Sequence, residues 1–173
     1  IAAEAPGAGA EVDHIVGSFD GLLVVLDNEH GIAEVAKVAE GLNEAFVVAQ
    51  PSTPASHFHL LRRHSLGEEH LPLIVFTPKS MLKRKEAAST PSDFTEGTFR
   101  PFIGDDAADR EAVETLLICS GRVTWDLMVE RAKQENPSAF AISRVEQLYP
   151  SPAADIAAEL AKYPRLKAVR WVQ

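Results

Sequence analysis

Residues 47–85 read "VVAQPSTPASHFHLLRRHSLGEEHLPLIVFTPKSMLKRK" and gather most of the chain's reactive-looking side chains. His57, His59, His64 and His70 lie among Arg62, Arg63, Lys79, Lys83, Arg84 and Lys85. Imidazoles at helical spacing could ligate a metal or move protons, and guanidinium groups could hold phosphate or carboxylate. On a helix His57 and His59 fall on different faces, while His57 and His64, seven apart, could share one. No carboxylate stands at a ligand-friendly spacing beside them, so a metal site is not expected. There is no G-x-S-x-G for a serine nucleophile, nor a phosphate loop or G-x-G-x-x-G; "GAG" at 7–9 follows no strand. The cations after "FTP" lie beyond the end of an apolar run, where open α/β sheets collect ligands. They read first as a solvated or interface surface, and second as an anion-binding one.

The elements that must carry these residues alternate. "GLLVVLD" (21–27) has strand length, and "HGIAEVAKVAEGLNEA" places Ile32, Val35, Ala36, Val38, Ala39 and Leu42 near one helical face. "AFVVAQ" (45–50) returns to strand character. The resulting strand–helix–strand order favours a parallel sheet. Thr53 is the expected N-cap and Pro54 the first residue of the next helix, where a missing N–H costs nothing. "PLIVFTP" (72–78) reads as a buried strand. The polar run from Lys79 to Pro101, broken by Pro91 and Gly97, reads as a connection. A second α/β unit follows: strand "TLLICSG", helix "VTWDLMVERAKQE", strand and exit "AFAISRVEQLYP", helix "SPAADIAAELAKYP" and strand "LKAVRWVQ".

Bulk properties narrow the classes. With 173 residues, 46% of them hydrophobic and 24% charged, the chain can bury a core in one domain or two small ones. A net charge of −8 argues against a general nucleic-acid binder, which needs a basic surface. The single cysteine, Cys119, excludes an internal disulfide and a multi-thiolate metal site, and its apolar setting predicts a small buried side chain. No run approaches the ~18 apolar residues of a membrane span, and no secretory leader is expected. The composition fits a reducing, cytoplasmic setting. The first residue is not methionine and the last segment is apolar, so a piece of a longer parent is expected.

Six blocks in fixed order carry a resemblance: "QPSTPASHFHLLRR", "LPLIVFTPKSMLKRKEAAS", "DFTEGTFRPFIGDD", "LLICSGRVTWDL", "AISRVEQLYPSP" and "RWVQ". From about residue 46 to residue 173 the chain resembles the C-terminal part of the decarboxylating first component of 2-oxoglutarate dehydrogenase. The actinobacterial 2-oxoglutarate decarboxylases belong to the same family. The resemblance implies an α/β fold of mostly parallel sheets flanked by helices. Residues 1–88 would be the end of a transketolase-like pyrimidine-binding domain, with 1–45 divergent. Residues 89–104 would connect it to a truncated transketolase C-terminal-like domain, 105–173.

The implied chemistry is oxidative decarboxylation of 2-oxoglutarate on thiamine diphosphate and Mg2+, with succinyl transfer to the lipoyl groups of a succinyltransferase partner, in a cytoplasmic bacterial homodimer. The family's G-D-G…N segment for diphosphate and magnesium is absent from the chain, as is its activating glutamate. Catalysis by this chain alone is therefore not expected. His14, in "VDHIV", is a weak match to a substrate-facing histidine. Arg63 and Gln147 match residues lining an allosteric acetyl-CoA site of actinobacterial members. Elsewhere in that site Val47 stands for a threonine, Thr98 for a lysine, Pro101 for a serine, and Ala154 and Asp155 for two arginines. Loss of cations beside a new carboxylate predicts that binding of acetyl-CoA, or of a nucleotide effector, is absent or much weakened. The alternatives are a 2-oxoadipate dehydrogenase relative, or a non-catalytic acyl-CoA- or nucleotide-binding or assembly module.

Overall fold

A computed structural model of the chain describes residues 15–18, 21–26, 46–68 and 71–173, with backbone alone for the first two segments. The helix expected between residues 30 and 45 lies outside the described residues, as do His14 and His70.

Two mixed sheets form. The first runs in the order β1 (Ile15–Ser18), β2 (Gly21–Leu26), β4 (Leu73–Phe76), β3 (Val47–Ala49), β8 (Gln147–Tyr149). Its inner pairings, β2 with β4 and β4 with β3, are parallel, and both outer pairings are antiparallel. The second runs β5 (Phe102–Ile103), β7 (Phe140–Val145), β6 (Thr115–Cys119), β9 (Ala168–Val172), parallel except where β5 meets β7. The fold is therefore α/β with parallel centres, antiparallel at both edges of the first sheet and at the β5 edge of the second. β1, β5 and β8 are additions to the expected elements. They are short, and their pairing partners rather than their own sequence make them strands.

Alternation along each strand sorts the core. Ala49, Leu73 and Val75 face Leu60 of α1 (Pro54–Leu66), while Val48 and Phe76 face the other way with Phe46. In the second sheet Leu116, Ile118, Ala141 and Val145 pack with Val113 and Tyr163, against Ile156 and Leu160 of α4 (Ala153–Leu160). Each fully buried Leu, Ile or Phe contributes roughly 1.5–3 kcal/mol. Leu148 of β8 packs against clusters of both sheets.

The expected connection is structured. Short 3-10 turns occupy Lys79–Lys83 and Lys85–Ala87, and α2 (Pro91–Thr95) follows. In α2 the Asp93 carboxylate accepts a hydrogen bond from the Thr90 N–H at 2.6 Å, which holds the start of the helix. β6 ends on Cys119; Gly121, at φ +57, makes the turn after it, and α3 (Val123–Arg131) begins two residues later.

Candidate functional site

α1 forms as the sequence directs. Thr53 caps it by accepting from the Ser56 N–H at 3.1 Å, and Pro54 occupies the first turn. No acid stands in that first turn to complement the helix dipole. Glu146, between β7 and β8, supplies one from the other half of the chain. Its side chain is wholly buried and accepts from the Ser52 N–H at 2.8 Å, from the Ser56 hydroxyl at 2.6 Å and from the Ser52 hydroxyl. Three donors saturate most of a carboxylate's capacity, which is what allows the charge to be buried.

Other groups close the same seam. The Gln50 N–H donates to the Glu146 carbonyl at 2.8 Å, and the Ser120 hydroxyl donates to Gln50 Oε1 at 2.7 Å. The Trp125 indole N–H donates to the Ser52 carbonyl at 3.1 Å. Arg144 donates to the Ser52 hydroxyl at 3.1 Å and lies 5.5 Å from the centre of the Trp125 ring. The turn between β3 and α1 is thus fixed by Arg144 of β7 and by residues that follow β6 and β7. Ser52 is fully buried and engaged as both donor and acceptor, so this Ser–Glu pair is a structural clasp rather than an activated nucleophile.

The two expected effector residues meet. Arg63 Nη2 donates to Gln147 Oε1 at 2.5 Å, and its guanidinium lies 4.4 Å from the centre of the Phe99 ring. The Gln147 amide donates onward to the Pro150 carbonyl at 2.9 Å. Pro101 is adjacent, its carbonyl accepting from the Gln147 N–H at 3.0 Å. Pro101, Phe99 and Asp155 line a cleft of about 270 Å³ with Lys162, and Thr98 lines a neighbouring one of about 500 Å³. Val47 is half-buried opposite Leu73, and Ala154 is exposed on α4.

The described histidines do not form a metal-binding cluster. His59 is buried, with Nε2 2.7 Å from the Asp93 carbonyl oxygen; His57 is half-buried, and its burial lowers its pKa. Among the described residues no group of three or more His, Cys, Asp or Glu side chains could hold a metal ion. No helix among them is long and apolar enough to cross a membrane. Cys119 is buried, as its sequence setting predicts.

Sequence reasoning missed Glu146 and the two serines that clasp it. One signal was available: a lone glutamate inside the apolar run "AISRVEQLY", which must either face water or find donors.

Comparison with known proteins meets this geometry. Residues 88–173 match the model of the 2-oxoglutarate dehydrogenase C-terminal family. These residues belong to that family. The chain is 43% identical over 148 residues to a 2-oxoglutarate dehydrogenase E1/E2 component of Corynebacterium glutamicum, covering 84% of this chain and 12% of that protein. It is 47% identical over 140 residues to a multifunctional 2-oxoglutarate metabolism enzyme of Mycobacterium sp. strain KMS, covering 78% of this chain and 11% of the relative. A protein of the same description from Mycolicibacterium vanbaalenii is 45% identical over 140 residues. The chain thus spans about an eighth of the length of the curated relatives it matches. The 2-oxoglutarate dehydrogenase C-terminal segment contributes Glu146, Gln147, Trp125 and Arg144 to the seam, whereas Ser52, Ser56 and Arg63 precede it. The relatives' alignments are longer than residues 88–173 and therefore take in part of the first half as well.

Proposed function

We propose that this chain is the C-terminal part of the first component of a 2-oxoglutarate dehydrogenase or decarboxylase. Its parent oxidatively decarboxylates 2-oxoglutarate and passes the succinyl group to a lipoyl-bearing succinyltransferase. The reading is carried by the family match over residues 88–173 together with 43–47% identity to actinobacterial 2-oxoglutarate enzymes. The finer assignment follows from the resemblance: residues 1–88 close a transketolase-like pyrimidine-binding domain, 89–104 connect, and 105–173 begin a transketolase C-terminal-like domain. A cytoplasmic homodimer fits the same resemblance.

Thiamine diphosphate and Mg2+ supply the decarboxylation chemistry in such a parent. The side chains described here do not fit that group: they offer no acidic cluster for the metal, and the sequence lacks the G-D-G…N segment. No catalytic step is therefore assigned to this chain. His14 is proposed as a substrate-facing residue of the parent from its sequence context alone.

The Arg63–Gln147 pair is proposed as the remnant of an acyl-CoA-type effector site whose affinity has been lost. Arg63 is already engaged by Gln147 and Phe99, and the adjoining cleft presents the Asp155 carboxylate to any incoming phosphate. Calorimetry of the chain with thiamine diphosphate–Mg2+, acetyl-CoA and AMP should show no tight binding. Assays with 2-oxoglutarate and an electron acceptor should show no turnover, whereas the parent cut before residue 46 should regain turnover when the chain is added back. Turnover by the isolated chain, or acetyl-CoA binding that disappears in Arg63→Ala, would refute these assignments. A panel including 2-oxoadipate distinguishes the alternative substrate in the restored parent.

A further inference from the structure

The cleft of about 500 Å³ lies where α1, α2 and the Trp125 face of α3 converge, beside the seam between the two sheets. Its walls carry Arg100 and Arg144. Neither guanidinium forms an ion pair with a described residue. Arg144 has the Ser52 hydroxyl and the Trp125 ring; Arg100 is exposed, with no hydrogen-bonding partner among the described residues. Elsewhere partly buried arginines are neutralised: Arg84 by Asp126 at 2.7 Å, and Arg131 by Asp105. Unpaired cations are ordinary on an open surface. Two that share one cleft can be bridged by a single anion from outside.

We propose that this cleft binds a small dianionic oxyanion, a phosphate or a short dicarboxylate, between Arg100 and Arg144. Nothing in the proposed function requires this site, and the two stand or fall separately. The donor geometry favours a ligand with two pairs of oxygens, since each planar guanidinium can take one pair in fork geometry. Arg144 is pre-oriented by its contacts with Ser52 and Trp125, so little side-chain freedom is lost on binding. Ser89 adds a donor: its oxygen accepts from the Ala55 N–H at 3.1 Å, leaving its own hydrogen for the cleft.

Two acids also border the cleft. The Asp93 carboxylate accepts from the Thr90 N–H, and Glu96 is exposed. Both oppose an incoming anion, so binding has to rest on direct guanidinium contacts rather than on the net charge of the cleft. Occupancy also reaches the seam, because Arg144 grips Ser52, whose hydroxyl donates to Glu146. A bound dianion should therefore raise the stability of the whole chain.

The test uses the full chain, with inorganic phosphate, pyrophosphate and succinate at matched ionic strength against chloride. Calorimetry and thermal unfolding should show saturable binding of at least one dianion and a rise in Tm. Preference for the phosphates or for succinate then assigns the ligand class. Arg100→Ala removes a side chain with no described partner and should weaken binding by about tenfold, the loss expected for a charged hydrogen-bonded contact. Arg144→Lys keeps the charge but loses the fork and should weaken it similarly. The second basic cleft, with Lys83, Lys85 and Arg122, serves as the control, and Lys83→Ala with Lys85→Ala should leave affinity unchanged. Absence of saturable binding by all three probes overturns the proposal. So does binding that survives in the Arg100→Ala/Arg144→Lys double variant, or that is lost in the lysine control.

Discussion

The Ser56 hydroxyl donates a 2.6 Å hydrogen bond to Glu146, ninety residues further along the chain and wholly buried. Through it the first turn of α1, an element of the first sheet's layer, takes its negative charge from the strand junction that joins the two sheets.

Replacing that carboxylate should be costly. Glu146→Gln keeps the shape but turns an NH2 group toward donors that need an acceptor. A loss of about 3 kcal/mol is expected, measured by urea unfolding, with Ser56→Ala losing about 1–2 kcal/mol. A glutamine variant as stable as the parent would show that the clasp is not holding the seam.

Gly121 should resist substitution for two separable reasons. Its φ of +57 disfavours any Cβ by about 1–2 kcal/mol, and a Cβ there would lie 2.6 Å from the Gln50 side-chain carbon Cδ. Gly121→Ala is expected to destabilise on both counts. Adding Gln50→Ala should recover the steric part and leave the backbone part, so the loss in the double variant should be smaller than the sum of the two single losses. Strictly additive losses would contradict the close approach.

Acid should weaken the second sheet through Glu159. Burial raises this carboxyl, but hydrogen bonds from Lys162, Tyr163 and the Asp105 N–H outweigh it and leave the folded pKa below the ordinary carboxylate value. A depressed folded pKa means that the contribution is full above the unfolded value of about 4.3 and is lost as pH falls through the folded value. Glu159→Gln should therefore be less stable than the parent at neutral pH, and the gap should narrow in acid. Denaturant midpoints across that range measure it, and a gap independent of pH would refute it. Tyr163, raised by burial and then by Glu159, should stay protonated through the alkaline range in which free tyrosines ionise.

Cys119 should be inert while the protein is folded. Its thiol is fully buried, contacts Thr124 Oγ1 at 3.3 Å and donates to the Ser143 carbonyl at 3.5 Å, and burial pushes its pKa up. Labelling by an aromatic disulfide reagent should track global unfolding in denaturant. Stoichiometric labelling of the native chain within seconds would show an opening that the fold does not provide for.

What the sequence made legible is chemistry that acts over a few residues. Thr53 and Pro54 announce a helix start because capping and a missing N–H are local matters, and both sit where the sequence puts them. The strands "LIVF" and "TLLIC" are visible because buried parallel strands are continuously apolar. α2 was hidden inside a polar connection, although Thr90, Pro91 and Asp93 spell its start. β8 had no local signal at all. Gln147–Tyr149 becomes a strand only by pairing with Val48 and Ala49, about a hundred residues upstream. The role of Glu146 was illegible for the same reason, since its donors lie 90 and 94 residues away. Arg63 and Gln147 were singled out by resemblance, and nothing in their spacing forecasts the 2.5 Å contact between them.

The placement of β8 also bears on how the chain comes into being. On a ribosome, β3 and β4 emerge before β8, and the free edge of β3 is covered only after Tyr149 has been made. Until then the nascent first sheet exposes an apolar strand edge to every neighbouring polypeptide. Long-range closure of this kind is slow and leaves a window for mispairing, so arrest of synthesis between β4 and β8 should yield a species that recruits chaperones rather than one with a closed first sheet.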